Sequence, residues 1–144
     1  MGGHEEIYGA WLKNMKHLTM NKYIAILLLS LSILSFGTPA FADFQKGYDA
    51  YNSGDFATAL KEWRPLAEQE IAAAQYNLGN MYFNGQGVIQ DYTRAHMWWN
   101  IAASQGDQDA IGNRDAVTKQ LTPADISKAQ DMARECVAKD YKGC

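Results

Sequence analysis

Apolar residues return at every third or fourth position through two stretches in the middle of this chain, with a glycine-punctuated gap between them. Ala74, Leu78, Met81 and Tyr82 fall on one face of a helix expected over about residues 73–84. Ala95, Trp98, Trp99 and Ala102 form the stripe of a second helix opening after Asp91. Asp91 can cap that helix by accepting a backbone N–H, and Gly85 is placed as the left-handed stop of the first. Gly79, without a Cβ, lets the facing helix approach closely, and Ala95, Ala102 and Ala103 do the same from the other side. Gly85-Gln86-Gly87 lacks the preceding strand and the Lys-Ser/Thr of a phosphate-cradling loop, so its expected role is to turn the chain.

The same pattern lies on both sides in weaker form. Tyr51-Asn-Ser-Gly54 recurs as Tyr82-Phe-Asn-Gly85, 31 residues on. Asp55-Phe56-x-x-Ala59-x-x-x-Trp63 recurs as Asp91-Tyr92-x-x-Ala95-x-x-x-Trp99, 36 residues on, which implies a five-residue insertion from Gln86 to Gln90. A third copy begins at Ala110-x-x-Asn113. Thr122-Pro123-Ala124-Asp125 then reads as an N-cap, a proline at the first helical position and an acid near the positive end of the helix dipole. That helix is expected from about Pro123 to Lys139, and the first pair at about Phe44–Ser53 and Asp55–Glu68. Internal repetition at this period points to an all-α stack of about three antiparallel helix hairpins, with units at about 44–72, 73–108 and 109–144.

The string Leu78-Gly79-x-x-Tyr82-x-x-Gly85-x-Gly87-Val88-x-x-Asp91-x-x-x-Ala95-x-x-Trp98-Trp99-x-x-Ala102-Ala103-x-x-Gly106-x-x-x-Ala110 resembles the Sel-1-like repeat, a longer-looped relative of the tetratricopeptide repeat. The first unit lacks the Gly-x-Gly-Val loop, and the third has Arg114-Asp115 where Leu-Gly is expected. The resemblance implies a short right-handed α-solenoid whose members usually act as adaptors. It also implies a staple: Cys-x7-Cys pairs occur in the cysteine-rich Sel-1-like proteins of bacterial secretomes, and Cys136 and Cys144 stand at that spacing. Ala102 and Ala110 have the same separation one unit earlier, where the end of one helix meets the start of the next. The competing readings of the pair are a redox centre, which would favour Cys-x-x-Cys, and a metal site, for which ligands are too few.

The N-terminus reads as an export signal. Lys13, Lys16 and Lys22 supply a basic flank, residues 24–36 an apolar run, and Pro39-Ala40-Phe41-Ala42 a small-x-small cleavage site. The expected leader is residues 15–42 with cleavage after Ala42, and residues 1–14 an extension ahead of a true start at Met15 or Met20. An uncleaved membrane anchor is the alternative, although a run of 13 residues, broken only by serines, falls short of the roughly 20 needed to span a bilayer. The expected destination is the periplasm or the exterior, where a disulfide persists.

The remaining segment, 43–144, is one domain carrying 10 basic and 14 acidic residues. That acidic balance does not recommend a nucleic acid or a membrane surface after cleavage. No catalytic constellation, metal set or cofactor motif emerges. His96 is the only histidine after Ala42, and a lone histidine on a packing helix is more often structural than a base or ligand. Glu62, Glu68, Glu70, Asp107 and Asp109 are expected to be solvated, and Trp63, Trp98 and Trp99 to pack the core rather than stack on carbohydrate.

What is left is a face. In repeat solenoids the first helix of each unit lines the concave side. Tyr76, Asn77, Asn80, Phe83 and Asn84 are its non-core positions in the second unit, and the asparagines recur at intervals of three and four. Gln45, Lys46, Asp49 and Asn52 extend the stripe before it, and Asn113, Ala116 and Lys119 after it. Carboxamides offer both donor and acceptor, which suits the backbone of an extended peptide, and Phe83 or Tyr76 could anchor an apolar residue. A hydrated face without function is the competing reading. The reading is an exported module binding a protein or peptide partner. The alternative, implied by the same resemblance, is binding or hydrolysis of β-lactam or cell-wall compounds.

Overall fold

The computed structural model describes residues 39–144, so residues 1–38 of the expected extension and leader lie outside the described residues. Six helices follow in order: α1 Pro39–Ser53, α2 Phe56–Ala67, α3 Ala72–Asn84, α4 Tyr92–Ser104, α5 Gln108–Thr118 and α6 Pro123–Ala138. No strand occurs among the described residues. The first helix begins at Pro39 rather than near Phe44.

Local chemistry sets the helix ends. Asp55 and Asp91 accept N–H bonds from Thr58 at 3.1 Å and Arg94 at 2.9 Å, capping α2 and α4. Gly85, at φ 70°, closes α3 by donating its N–H to the carbonyl of Met81. Thr122 and Asp125 form a reciprocal capping box around Pro123 at the start of α6. Asp107 departs from expectation. It is half-buried and caps α5, accepting from Ala110 N at 2.8 Å. Glu62 and Glu68 are also half-buried: Lys46 Nζ lies 2.6 Å from Glu62, and Gly143 N donates to Glu68 at 3.3 Å. Glu70 and Asp109 are exposed, as expected.

The core is built on a repeated glycine–tryptophan contact. A Cβ on Gly47 would lie 2.4 Å from Trp63 Nε1, and one on Gly79 would lie 2.5 Å from Trp99 Nε1. Each indole N–H donates to a carbonyl three residues before the glycine: Trp63 to Phe44 and Trp99 to Tyr76, both at 3.2 Å. Tyr51 lies 5.5 Å from Trp63, and Phe83 lies 5.5 Å from Trp99, between ring centroids. These pairings correct the register read from sequence. In its contact with the tryptophan Tyr51 corresponds to Phe83, not to Tyr82, so the packing faces of the two first helices are related by 32 residues. The helix-ending Gly54 and Gly85 stay 31 apart, and the loop gains the five residues expected. Tyr82 instead turns inward, 5% exposed, with the Arg94 guanidinium 5.5 Å from its ring centroid.

Helices α1 and α2, and α3 and α4, pack as antiparallel pairs, with α2 against α3 and α4 against α5. The last pair differs. Helix α6 packs on α4 rather than chiefly on α5, with Ala133 and Cys136 buried in the same core cluster as the α4 side chains. The physical reason is visible in the residues: an exposed Asp115 holds the place of Gly79, and α6 carries no tryptophan. Cys136 and Cys144 are joined in a disulfide with Cα atoms 5.6 Å apart, fixing the turn after α6.

Candidate partner-binding groove

Helix α5 has only two buried side chains, Ala110 and Val117, and these hold it against the core. The intervening turn leaves Asn113 and Ala116 free to border α3. Between α3 and α5 runs a cleft of about 230 Å³. Asn80, Phe83 and Asn84 form one wall, Asn113, Ala116, Val117 and Gln120 the other, and Trp99 borders it from α4. No charged side chain lines it. Asn113 Nδ2 lies 3.3 Å from Asn80 Oδ1 and 3.4 Å from the Tyr76 hydroxyl, long bonds that leave the carboxamides with spare capacity.

Six of the sequence-predicted positions therefore meet: Tyr76, Asn80, Phe83, Asn84, Asn113 and Ala116. Phe83 is half-buried, its ring held between Tyr92 at 5.1 Å and Trp99 at 5.5 Å, so it is a fixed wall more than a free anchor. Asn77 is half-buried on α3 but does not line the cleft. Asp49 is exposed on α1, where Gln45 Nε2 donates to it at 2.8 Å, and it contributes nothing to the cleft. Lys119, expected to extend the stripe, is the exposed C-cap of α5, and its neighbour Gln120 enters the cleft instead. The spacing from Asn113 through Ala116 to Gln120 is the signal that would have identified it.

A second feature escaped the sequence reading. Gln75 is fully buried, donates to the carbonyl of Ala67 at 3.0 Å and accepts from Gln105 Nε2 at 2.6 Å. It ties the end of α2, the start of α3 and the end of α4 together behind the groove. His96 lies in α4, 3% exposed, and its Nδ1 has no hydrogen-bond partner among the described residues. Burial pushes its pKa down, with the nearby Arg114 cation acting in the same sense. Among the described residues no cluster of three or more His, Cys, Asp or Glu could hold a metal ion.

Comparison with known proteins agrees with this geometry. Residues 72–107 match the Sel1 repeat family. Two exopolysaccharide production negative regulators are 35% identical: one from Rhizobium leguminosarum bv. viciae over 63 residues, one from Rhizobium meliloti (strain 1021) over 66. These matches cover 44% and 46% of this chain but only 24% and 25% of the relatives, so the chain spans about a quarter of their length. Among solved structures, a protective antigen present in uropathogenic Escherichia coli strains, displaying an SLR fold, superposes with a TM-score of 0.64 at 28% identity. That match covers 71% of this chain and 24% of the antigen. With its central helix pair matching the Sel1 repeat and its helices following the same fold, the chain is an all-α, solenoid-like protein that carries a Sel1 repeat at residues 72–107.

Proposed function

We propose that this protein is an exported, non-catalytic interaction module that holds an extended segment of a partner protein in the groove between α3 and α5. The observation carrying the reading is the groove itself: an uncharged cleft whose walls present the carboxamides of Asn80, Asn84, Asn113 and Gln120 over an aromatic and aliphatic floor. Each carboxamide can donate to a backbone carbonyl and accept from a backbone N–H, and nothing in the cleft favours a charged ligand. The repeat and the fold support an interaction role, since stacked helix pairs present a continuous surface for a partner. The two similar regulators, by their names, control exopolysaccharide production, and a regulator acting through contact fits the same reading. The proposed destination is the periplasm or the exterior, reached through a leader at residues 15–42, where the Cys136–Cys144 bond would persist.

The test is a pull-down from envelope extract with the wild-type protein and with Asn80, Asn84 and Asn113 changed together to alanine. The variant is expected to lose a partner that the wild type retains, at unchanged helicity. Equal recovery by both proteins would remove the groove from the account.

A further inference from the structure

The loop between α3 and α4 presents Ile89 to solvent at 90% exposure, the highest of the exposed large apolar side chains among the described residues. Its position is fixed from both sides. Gln90 Nε2 donates to the carbonyl of Phe83 at 2.8 Å, Asp91 N to that of Tyr82 at 2.9 Å, and the Tyr51 hydroxyl to Gln86 at 2.6 Å. Gly87, at φ 70°, lies so close to α2 that a Cβ there would meet the carbonyl of Phe56 at 2.8 Å. An isoleucine held outward on a braced loop loses the contacts it could have made by folding back.

Beside it opens a cleft of about 420 Å³, lined by Val88, Ile89, Tyr82, Asp91 and two arginines, Arg64 from α2 and Arg94 from α4. It shares no lining residue with the Asn80–Asn113 groove. Arg94 lies over the Tyr82 ring, and its Nε is 3.6 Å from Asp91. Among the described residues Arg64 has no ion-pair partner. Two cations thus face one acid here, although residues 43–144 carry four more acidic than basic groups. A guanidinium grips a carboxylate through two parallel N–H bonds, and arginine is among the residues enriched at binding hot spots.

We propose that Ile89, Arg64 and Arg94 form a second docking surface that takes an acidic segment of a partner protein, its carboxylates on the arginines and an apolar side chain against Ile89 and Val88. The acidic chain would be repelled by an anionic lipid surface, which favours protein over membrane as the partner.

The probes are two synthetic blocked peptides, one alternating leucine with glutamate and one with glutamine in place of every glutamate, titrated against the full chain while the Ile89 methyl resonances are followed by NMR. The glutamate peptide is expected to shift Ile89 and the glutamine peptide to leave it in place. Arg64→Glu is expected to weaken the glutamate peptide by about fivefold or more, as loss and reversal of an exposed ion pair imply. Ile89→Ser, at a site with no packing to lose, should weaken it as well and keep the fold intact by circular dichroism. Equal shifts with both peptides, no shift with either, or undiminished binding by Arg64→Glu would overturn the proposal. So would Ile89 shifts produced by phosphatidylglycerol vesicles and not by the glutamate peptide, which would give the surface to lipid.

Discussion

The indole of Trp99 lies against Gly79 so closely that a methyl group on the glycine would sit 2.5 Å from its ring nitrogen. The same contact recurs between Trp63 and Gly47 one unit earlier, and in both cases the indole N–H is satisfied by a carbonyl of the facing helix. The pair is a lock: glycine admits the ring, the ring fills the gap, and the buried N–H is not left orphaned.

Gly79→Ala should therefore destabilise the domain, because Trp99 is 2% exposed and has nowhere to retreat. The expected cost is about 1–3 kcal/mol, the usual range for overpacking a filled core, read as a lowered Tm in thermal unfolding. Gly112→Ala is the control. Apart from the backbone of its own helix, no atom lies within 4 Å of the Cβ it would add, and the change should leave Tm unchanged or slightly raised.

Breaking the disulfide should loosen the C-terminal turn without dissolving the fold. Closing so short a loop is worth about 2–3 kcal/mol on a chain-entropy estimate. Cys136→Ser with Cys144→Ser, or reduction of the wild type, should lower Tm by a matching amount while the helical signal persists. An unchanged Tm would show that the turn is held by its other contacts, among them Tyr141 N to the carbonyl of Cys136 at 2.9 Å.

His96 gives the domain a pH dependence of known sign. Its folded pKa lies below the ordinary 6.5, so below that pH the unfolded chain binds a proton the folded one resists. This contribution to stability is complete above pH 6.5 and declines as the pH falls beneath it. Unfolding midpoints in urea should drop from pH 7 toward acid more steeply in the wild type than in His96→Gln. Parallel curves would contradict the buried, neutral imidazole.

Export through the leader is tested by the mature N-terminus. Protein recovered from the cell envelope should begin at Asp43, and retention of residues 15–42 would favour the anchored alternative.

Much of this fold could be read in the chain because its signals are local. Asp55, Asp91 and the Thr122-Pro123 step act within one turn of their own helices, and Gly85 needs only its own backbone. The register of the repeat did not have that protection. Tyr51 matches Tyr82 by identity, but which residue meets the tryptophan depends on helix phase across a gap, and Phe83 takes the position. Asp107 looked like a solvated acid because its cap depends on where α5 begins. The packing of α6 on α4 is a tertiary outcome that spacing alone does not encode. The groove was legible in part for the same reason. Asn80 and Asn84 share a face by periodicity, whereas the exclusion of Asp49 and the entry of Gln120 depend on how neighbouring helices lie.

The central claim, that a partner segment lies between α3 and α5, is tested most directly by photo-crosslinking from inside the cleft. A benzophenone side chain placed at Asn84, which borders the cleft, and separately at Asp49, which does not, would be exposed to the envelope partner and irradiated. A cross-linked adduct from position 84 and none from position 49 is the predicted result. An adduct from position 49 with none from position 84 would contradict it.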